Sequence, residues 1–251
     1  MPAEETTAAI VLRARDYSEA DRIVTLLTLD FGKLSGIAKG AKASRRRFER
    51  KLEPFSQVRL YFRRRPHGQL VFITRAERGD NPPAELADDL GKIALGSYML
   101  ELADALTREE AEAADAYRVL ANALDTLAHG SASLALRQAF ELKMLSATGF
   151  GLEFRRCRVC ENGAEPEGGA IYFVVSRGGI VCARCRVEAP ESAVRLSSAN
   201  SAALARLSSA SFDETAALEH GGADSALAIS RFLGTILDRK LRSVEFLNSI
   251  L

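Results

Sequence analysis

The chain contains no run of about eighteen apolar residues, so neither a helical membrane span nor a membrane partner is expected. Its first residues, Met1-Pro-Ala-Glu-Glu-Thr-Thr, lack a basic stretch followed by an apolar one. No secretory signal is therefore expected, and the anticipated address is the cytoplasm. Histidine is scarce. His67, His129 and His220 stand in separate contexts without an evident nucleophile or carboxylate partner, which gives little support to a triad or a His-rich metal centre. The glycines at Gly32-Lys33 and from Gly36 to Lys42 do not form the Gly-x4-Gly-Lys-Ser/Thr cradle that binds nucleotide phosphates. Paired acids such as Asp88-Asp89 and Glu109-Glu110 fall in Ala-rich, helical-looking segments and read as solvated faces. An enzyme is not expected. There is no internal repeat, and the mildly Ser/Ala-rich stretch from Leu196 to Ser211 reads as a surface helix and its linker.

What is present is a globular composition: 251 residues, 47% hydrophobic and 27% charged, enough for one large or two to three small domains. The formal charge of +1 conceals a division along the chain. Residues 1–80 carry 17 Lys/Arg against 10 Asp/Glu, residues 81–150 carry 5 against 11, and residues 151–251 carry 12 against 12. A positive field concentrated at one end attracts polyanions even when the whole molecule is near neutral.

Short β-branched or aromatic runs at 8–14, 21–29, 33–38, 55–63 and 69–76, separated by Gly, Pro, Asp and Asn, predict five strands and hence a small barrel. Phe55 to Arg63 alternates: Val58, Leu60 and Phe62 face a core, while Gln57, Arg59, Tyr61 and Arg63 form a basic and aromatic outer face. Pro66-His67-Gly68 predicts a hairpin turn, and Asn81-Pro82-Pro83 a stop. From Ala84 the character changes. Leu86, Leu90, Ile93, Leu95, Met99, Leu102 and Leu106 recur at helical spacing, and further helices are predicted at 111–128, 132–148, 198–209 and 223–239. The apolar tail Leu241 to Leu251 is expected to dock on the helical body.

The cysteines form two Cys-x-x-Cys pairs, Cys157/Cys160 and Cys182/Cys185, with 21 residues between the pairs. Two such knuckles supply four soft ligands for a tetrahedral structural Zn2+ and leave no open position for catalysis; a reducing compartment disfavours disulfides. Between them Ile171 to Val181 reads as two β runs around Arg177-Gly178-Gly179, a hairpin that returns the second pair to the first. The expectation is a zinc ribbon. Arg155, Arg156, Arg158, Arg184 and Arg186 surround the knuckles, either as a solvated rim or as a contact surface.

The segment Val24 to Ser56 places Lys33, Lys39, Lys42, Arg45, Arg46, Arg47, Arg50 and Lys51 in and after a glycine-bearing strand and loop. Cations at this density neutralise phosphates without reading sequence, and Phe31, Phe48 and Tyr61 are candidates to stack on unpaired bases.

The pattern Ile10-Val-Leu-Arg-Ala-Arg-Asp-Tyr-Ser-Glu-Ala-Asp-Arg-Ile-Val-Thr-Leu-Leu-Thr, with Phe31-Gly-Lys-Leu-Ser-Gly-Ile-Ala-Lys-Gly-Ala-Lys and Leu52-Glu-Pro-Phe-Ser, resembles the bacterial RecO family. The likeness is specific over residues 10–56, supportive at the cysteines and weak in the helices. It implies an α+β chain: an N-terminal OB-fold DNA-binding barrel (1–80), a helical domain (81–152 and 190–251) and an inserted four-cysteine zinc ribbon (153–189). It also implies a nucleoid-associated mediator of DNA repair and recombination that binds single- and double-stranded DNA and anneals complementary strands. With RecR, such a protein helps load RecA on DNA covered by single-strand-binding protein. Lys33, Lys39 and Lys42 fall in the family's basic strand and loop, Arg45 to Arg47 extend it, and Arg59, Tyr61 and Arg63 add the outer face of the fourth strand. Some family members lack the cysteines, which suits a stabilising zinc. The competing expectation is a protein-interaction adaptor that binds partners through helices and ribbon without touching DNA.

Overall fold

Five strands close into a barrel: β1 (Glu5–Asp16), β2 (Arg22–Thr28), β3 (Gly32–Ala38), β4 (Gln57–Arg63) and β5 (Val71–Arg78). Their order is β1-β2-β3-β5-β4, with β4 returning to pair with β1 and β3 lying parallel to β5. This is the small barrel that the strand pattern predicts, OB-like as the family resemblance implies. The computed structural model describes residues 3–48, 50–64, 70–79, 86, 89–163, 171–188 and 193–251. The expected turn at Pro66-His67-Gly68, the stop at Asn81-Pro82-Pro83 and the acid Asp88 lie outside the described residues, as do the side chains of Arg45 and Arg46.

The alternation in β4 is realised: Val58, Leu60 and Phe62 are buried in the barrel core with Val11, Val24, Leu26, Leu34, Val71 and Ile73. β1 and β2 instead bury consecutive residues, Ala9 to Leu12 and Ile23 to Thr28, because helices cover their outer surfaces. A one-residue irregularity between Val11 and Arg13 bends β1, which a closed small barrel requires. After β3 a single turn of helix, α1 (Arg45–Phe48), directs Phe48 into the same core, 3% exposed.

The chain divides into two compact units, Met1–Ser131 with Leu241–Ile250, and Ala132–Lys240 with Leu251. In the first, α2 (Leu90–Leu106) and α3 (Ala114–His129) pack on the barrel, and the tail helix α7 (Ser243–Ile250) packs on α2. Asp89 caps α2 by accepting from Lys92 N at 3.0 Å. The start of α7 is held by a remote carboxylate: Glu101 accepts from Arg242 N, Ser243 N and Ser243 Oγ at 3.0, 2.8 and 2.7 Å. Glu109 and Glu110 do not lie on a helix, contrary to expectation. They sit in the α2–α3 connection, where Glu109 accepts from Ser35 Oγ and Glu110 pairs with Arg64, each at 2.7 Å. Here the chain crosses Gly32, whose φ is +66° and where any β-carbon would lie 1.8 Å from Ala111 O.

The second unit joins α4 (Leu134–Ala147), α5 (Ser198–Ser209) and α6 (Gly222–Ile236) to a small sheet, β6 (Ile171–Val174), β7 (Gly179–Val181) and β8 (Val194–Leu196), in the order β7-β6-β8. The β6–β7 hairpin turns through Gly178 at φ +57°, as its sequence predicts. The strand β8 departs from the sequence pattern. Three residues preceding a Ser/Ala-rich helix are too short a run to read as a strand, and pairing with β6 defines it. Phe173 and Phe154 stack at 5.6 Å beneath this sheet, and Ser201 of α5 donates to Phe154 O at 2.9 Å. No helix among the described residues is long and apolar enough to cross a membrane.

Candidate nucleic-acid interface and metal centre

At one end of the barrel the 39–44 loop is tied to the β1–β2 turn. Lys42 N donates to Ala20 O at 3.1 Å, Gly40 N to Asp21 Oδ1 at 2.8 Å, and Lys42 Nζ to Ser18 O at 3.3 Å. Lys42 also pairs with Asp16 at 2.7 Å. That hydrogen bond, against some desolvation and with help from Arg22, holds the Asp16 carboxyl below its ordinary range. Arg47 Nη2 donates to Lys39 O at 3.2 Å, so α1 is drawn onto the same loop. The result is a shaped basic end on which Lys39, Lys42 and Arg47 are exposed, with Arg15 nearby on β1.

Beside them stands an aromatic that strand and helix patterns do not single out. Tyr17, in the β1–β2 turn, is 64% exposed. Its signal in the sequence is a lone aromatic in the run Asp16 to Asp21, whose other residues are polar apart from Ala20 and where no core position calls for it. The aromatics expected to stack are placed differently. Phe48 is in the core, and Phe31 packs edge-on against Phe62 at 5.3 Å. Tyr61 donates to Glu77 at 2.9 Å and is covered by the Arg75 guanidinium 3.5 Å from its ring centre.

The structure brings only part of the expected basic set together. Lys33 points the other way: its ammonium donates to Asp104 O at 2.6 Å and lies 3.3 Å from Asp104 Oδ1, with 13% of the side chain exposed. Arg59, Tyr61 and Arg63 lie on β4, opposite the first half of β1, where Ala8 is the partner of Arg59. Ala8 is eight residues before Asp16 on β1, roughly 26 Å along a strand. Arg59 is exposed, whereas Tyr61 and Arg63 are half-buried.

The four cysteines converge: the Sγ atoms of Cys157, Cys160, Cys182 and Cys185 all lie within 4.8 Å of one another. Cys160 and Cys182 are 3.9 Å apart at sulphur, close to the edge of about 3.8 Å in a tetrahedron with metal–sulphur bonds near 2.3 Å. Val159 N and Cys182 N point at Cys157 Sγ from 3.5 and 3.4 Å. Burial opposes ionisation of Cys157, but backbone N–H groups of Cys160, Cys182 and Val159 outweigh it and bring this thiol down to about 6. Burial and then its three companions push Cys185 up to about 12. One thiolate is thus accommodated by the protein alone, whereas four together call for a cation. The donor set, spacing and N–H···S contacts fit a closed, thiolate-bound metal ion.

The first 80 residues match the family model for "Recombination protein O N terminal", and residues 87–246 match that for "Recombination protein O C terminal". A DNA repair protein RecO of Anaeromyxobacter sp. (strain Fw109-5) is 36% identical over 248 residues, spanning 96% of this chain and 94% of the relative. Those of Syntrophus aciditrophicus (strain SB) and Streptomyces griseus subsp. griseus are 29% and 34% identical, spanning 99% and 94% of this chain and 96% of each relative. Matches to both halves, an OB-like barrel at the start and a likeness that runs through barrel, helices and ribbon place the chain in the RecO family of DNA repair proteins.

Proposed function

We propose that this chain is a recombination mediator: it binds single- and double-stranded DNA by the backbone, anneals complementary strands and, with RecR, helps load RecA onto DNA covered by single-strand-binding protein. The observation that carries this reading is the barrel end where the loop bearing exposed Lys39, Lys42 and Arg47 is tied to the turn bearing the exposed ring of Tyr17. Cations on a tied loop neutralise phosphates, and an exposed ring stacks on an unpaired base whatever its identity. Annealing needs no catalytic residue, because the barrier is repulsion between backbones and the ordering of two strands. Arg45 and Arg46 extend the cluster along the chain, and Arg59 provides a separate phosphate contact on the side of the barrel. Lys33 serves the fold rather than DNA. Cys157, Cys160, Cys182 and Cys185 would hold a structural Zn2+, which ties the two knuckles together and does no chemistry on DNA. A cytoplasmic, nucleoid-associated location follows from this role.

The test is fluorescence anisotropy of a labelled single strand, then its duplex, at low and physiological salt, with an annealing assay on the same sample. Binding that weakens steeply with salt, together with accelerated annealing, is expected. No binding at low salt would leave the protein-interaction adaptor as the better reading.

A further inference from the structure

We infer that the metal-side face of the β7-β6-β8 sheet is a second nucleic-acid surface, which holds the backbone of a single strand while the barrel end holds another. This rests on the DNA-binding reading above and extends it to a site in the other compact unit.

Partners across an antiparallel pair share a face, and so do residues two apart on one strand. Tyr172 is opposite both Val181 on β7 and Arg195 on β8, and Val174 follows two residues on. Val174 and Val181 pack on Cys157 and Cys182, so this is the face turned toward the cysteine cluster. Tyr172 and Arg195 therefore stand on the metal side, with Tyr172 half-buried and Arg195 exposed. The short helical turn that carries Cys185 brings a second guanidinium here: Arg186 lies over the Tyr172 ring, 5.1 Å from its centre. A third long side chain crosses the same face at Gly179, where a β-carbon would come within 2.9 Å of Arg158 Cγ.

Charge decides the occupant. Residues 171–186 and 193–196 include Arg177, Arg184, Arg186 and Arg195 and no Asp or Glu. All four arginines are exposed. The acids of this region fall before and after, at Glu153, Glu161, Glu165, Glu167, Glu188 and Glu191. Of these, Glu153 is turned onto its own chain, accepting from Arg155 N and Arg156 N at 2.6 and 3.2 Å. Arginine fits this role better than lysine would. Its planar group forks onto phosphate oxygens and stacks on aromatic faces, so Arg186, already fixed by Tyr172, loses less freedom on binding and offers its outer plane to a base.

The experiment uses the full chain loaded with zinc and a long labelled single strand, comparing wild type, R186E/R195E and R186K/R195K. Zinc content and the unfolding midpoint of each variant establish that the ribbon is intact. With two phosphates no longer neutralised, the slope of log affinity against log salt should fall by about 1.4 in R186E/R195E and be largely restored by the lysine pair. Annealing should slow in parallel, and a strand carrying iodouracil should cross-link to the peptide containing Tyr172. An unchanged slope and annealing rate in R186E/R195E, with cross-links confined to the barrel, would overturn the ribbon surface and leave the barrel reading intact. Failure of the wild type to bind any strand would overturn both. An acidic peptide that binds wild type but not R186E/R195E, while DNA binding and annealing are the same in both, also counts against the inference, since that face would then serve a protein.

Discussion

Lys33 Nζ lies 2.6 Å from the carbonyl and 3.3 Å from Oδ1 of Asp104, joining the third barrel strand to the second helix through an ion pair in which Asp104 is only 4% exposed at its side chain. Arg13 approaches the other carboxylate oxygen at 3.3 Å from the surface. A lysine within a basic, glycine-bearing strand is thus committed to the fold, and the cations of the proposed DNA interface begin at Lys39.

Replacing Lys33 by Met should therefore lower stability by about 3 kcal/mol, since removing one member of a buried pair leaves the other charge desolvated. Arg13 remains to compensate in part. Chemical denaturation should show the loss, while the salt slope of DNA binding stays at the wild-type value. A reduced slope with unchanged stability would return Lys33 to the interface.

Reversing Lys39 and Arg47 to Glu should act in the opposite sense. Both are exposed, so the unfolding midpoint should fall only by what the Arg47 hydrogen bonds to Lys39 O and Ser44 Oγ contribute. Single-strand affinity should fall, and the salt slope should drop by about 0.7 for each phosphate that is no longer neutralised. Equal affinity at every salt concentration would remove the barrel end from consideration.

Tyr17→Ala should weaken single-strand binding by about 1–3 kcal/mol, roughly five- to more than a hundredfold, and Tyr17→Phe should restore it. Duplex binding, where bases are already stacked, should change far less. The ring is 64% exposed, so little core packing is at stake. A loss that is equal for duplex and single strand would mean that the hydroxyl or the turn, and not base stacking, is responsible.

Elemental analysis should find about one zinc per chain. Chelation, or Cys157→Ser, should lower the thermal midpoint, because the four-way tie between the two Cys-x-x-Cys pairs is lost with the ion. Fully stable metal-free protein would contradict a structural zinc.

Gly32→Ala should cost more than about 1 kcal/mol. The position combines a φ of +66° with an oxygen of Ala111 at 1.8 Å from any β-carbon, so no side-chain adjustment relieves it.

Patterns of period two and of helical period belong to the chain itself, since they follow from how side chains leave a strand or a helix. Val58, Leu60 and Phe62 announce a barrel wall, the two Cys-x-x-Cys pairs announce a cluster of four thiols, and the excess of Lys and Arg before residue 80 announces a basic N-terminal unit. These are legible because each is local or a matter of composition. What lies beyond the sequence is which partner a charged or capping side chain finds far along the chain. Asp104 claims Lys33 across 71 positions, and Glu101 caps α7 across 142. β8 exists because β6 offers it an edge, and Tyr17 is exposed because no core reaches it. Composition counts a lysine as a charge wherever it lies. Only tertiary packing determines whether a carboxylate or the solvent stands opposite it, because that depends on which segments desolvate one another when the chain closes.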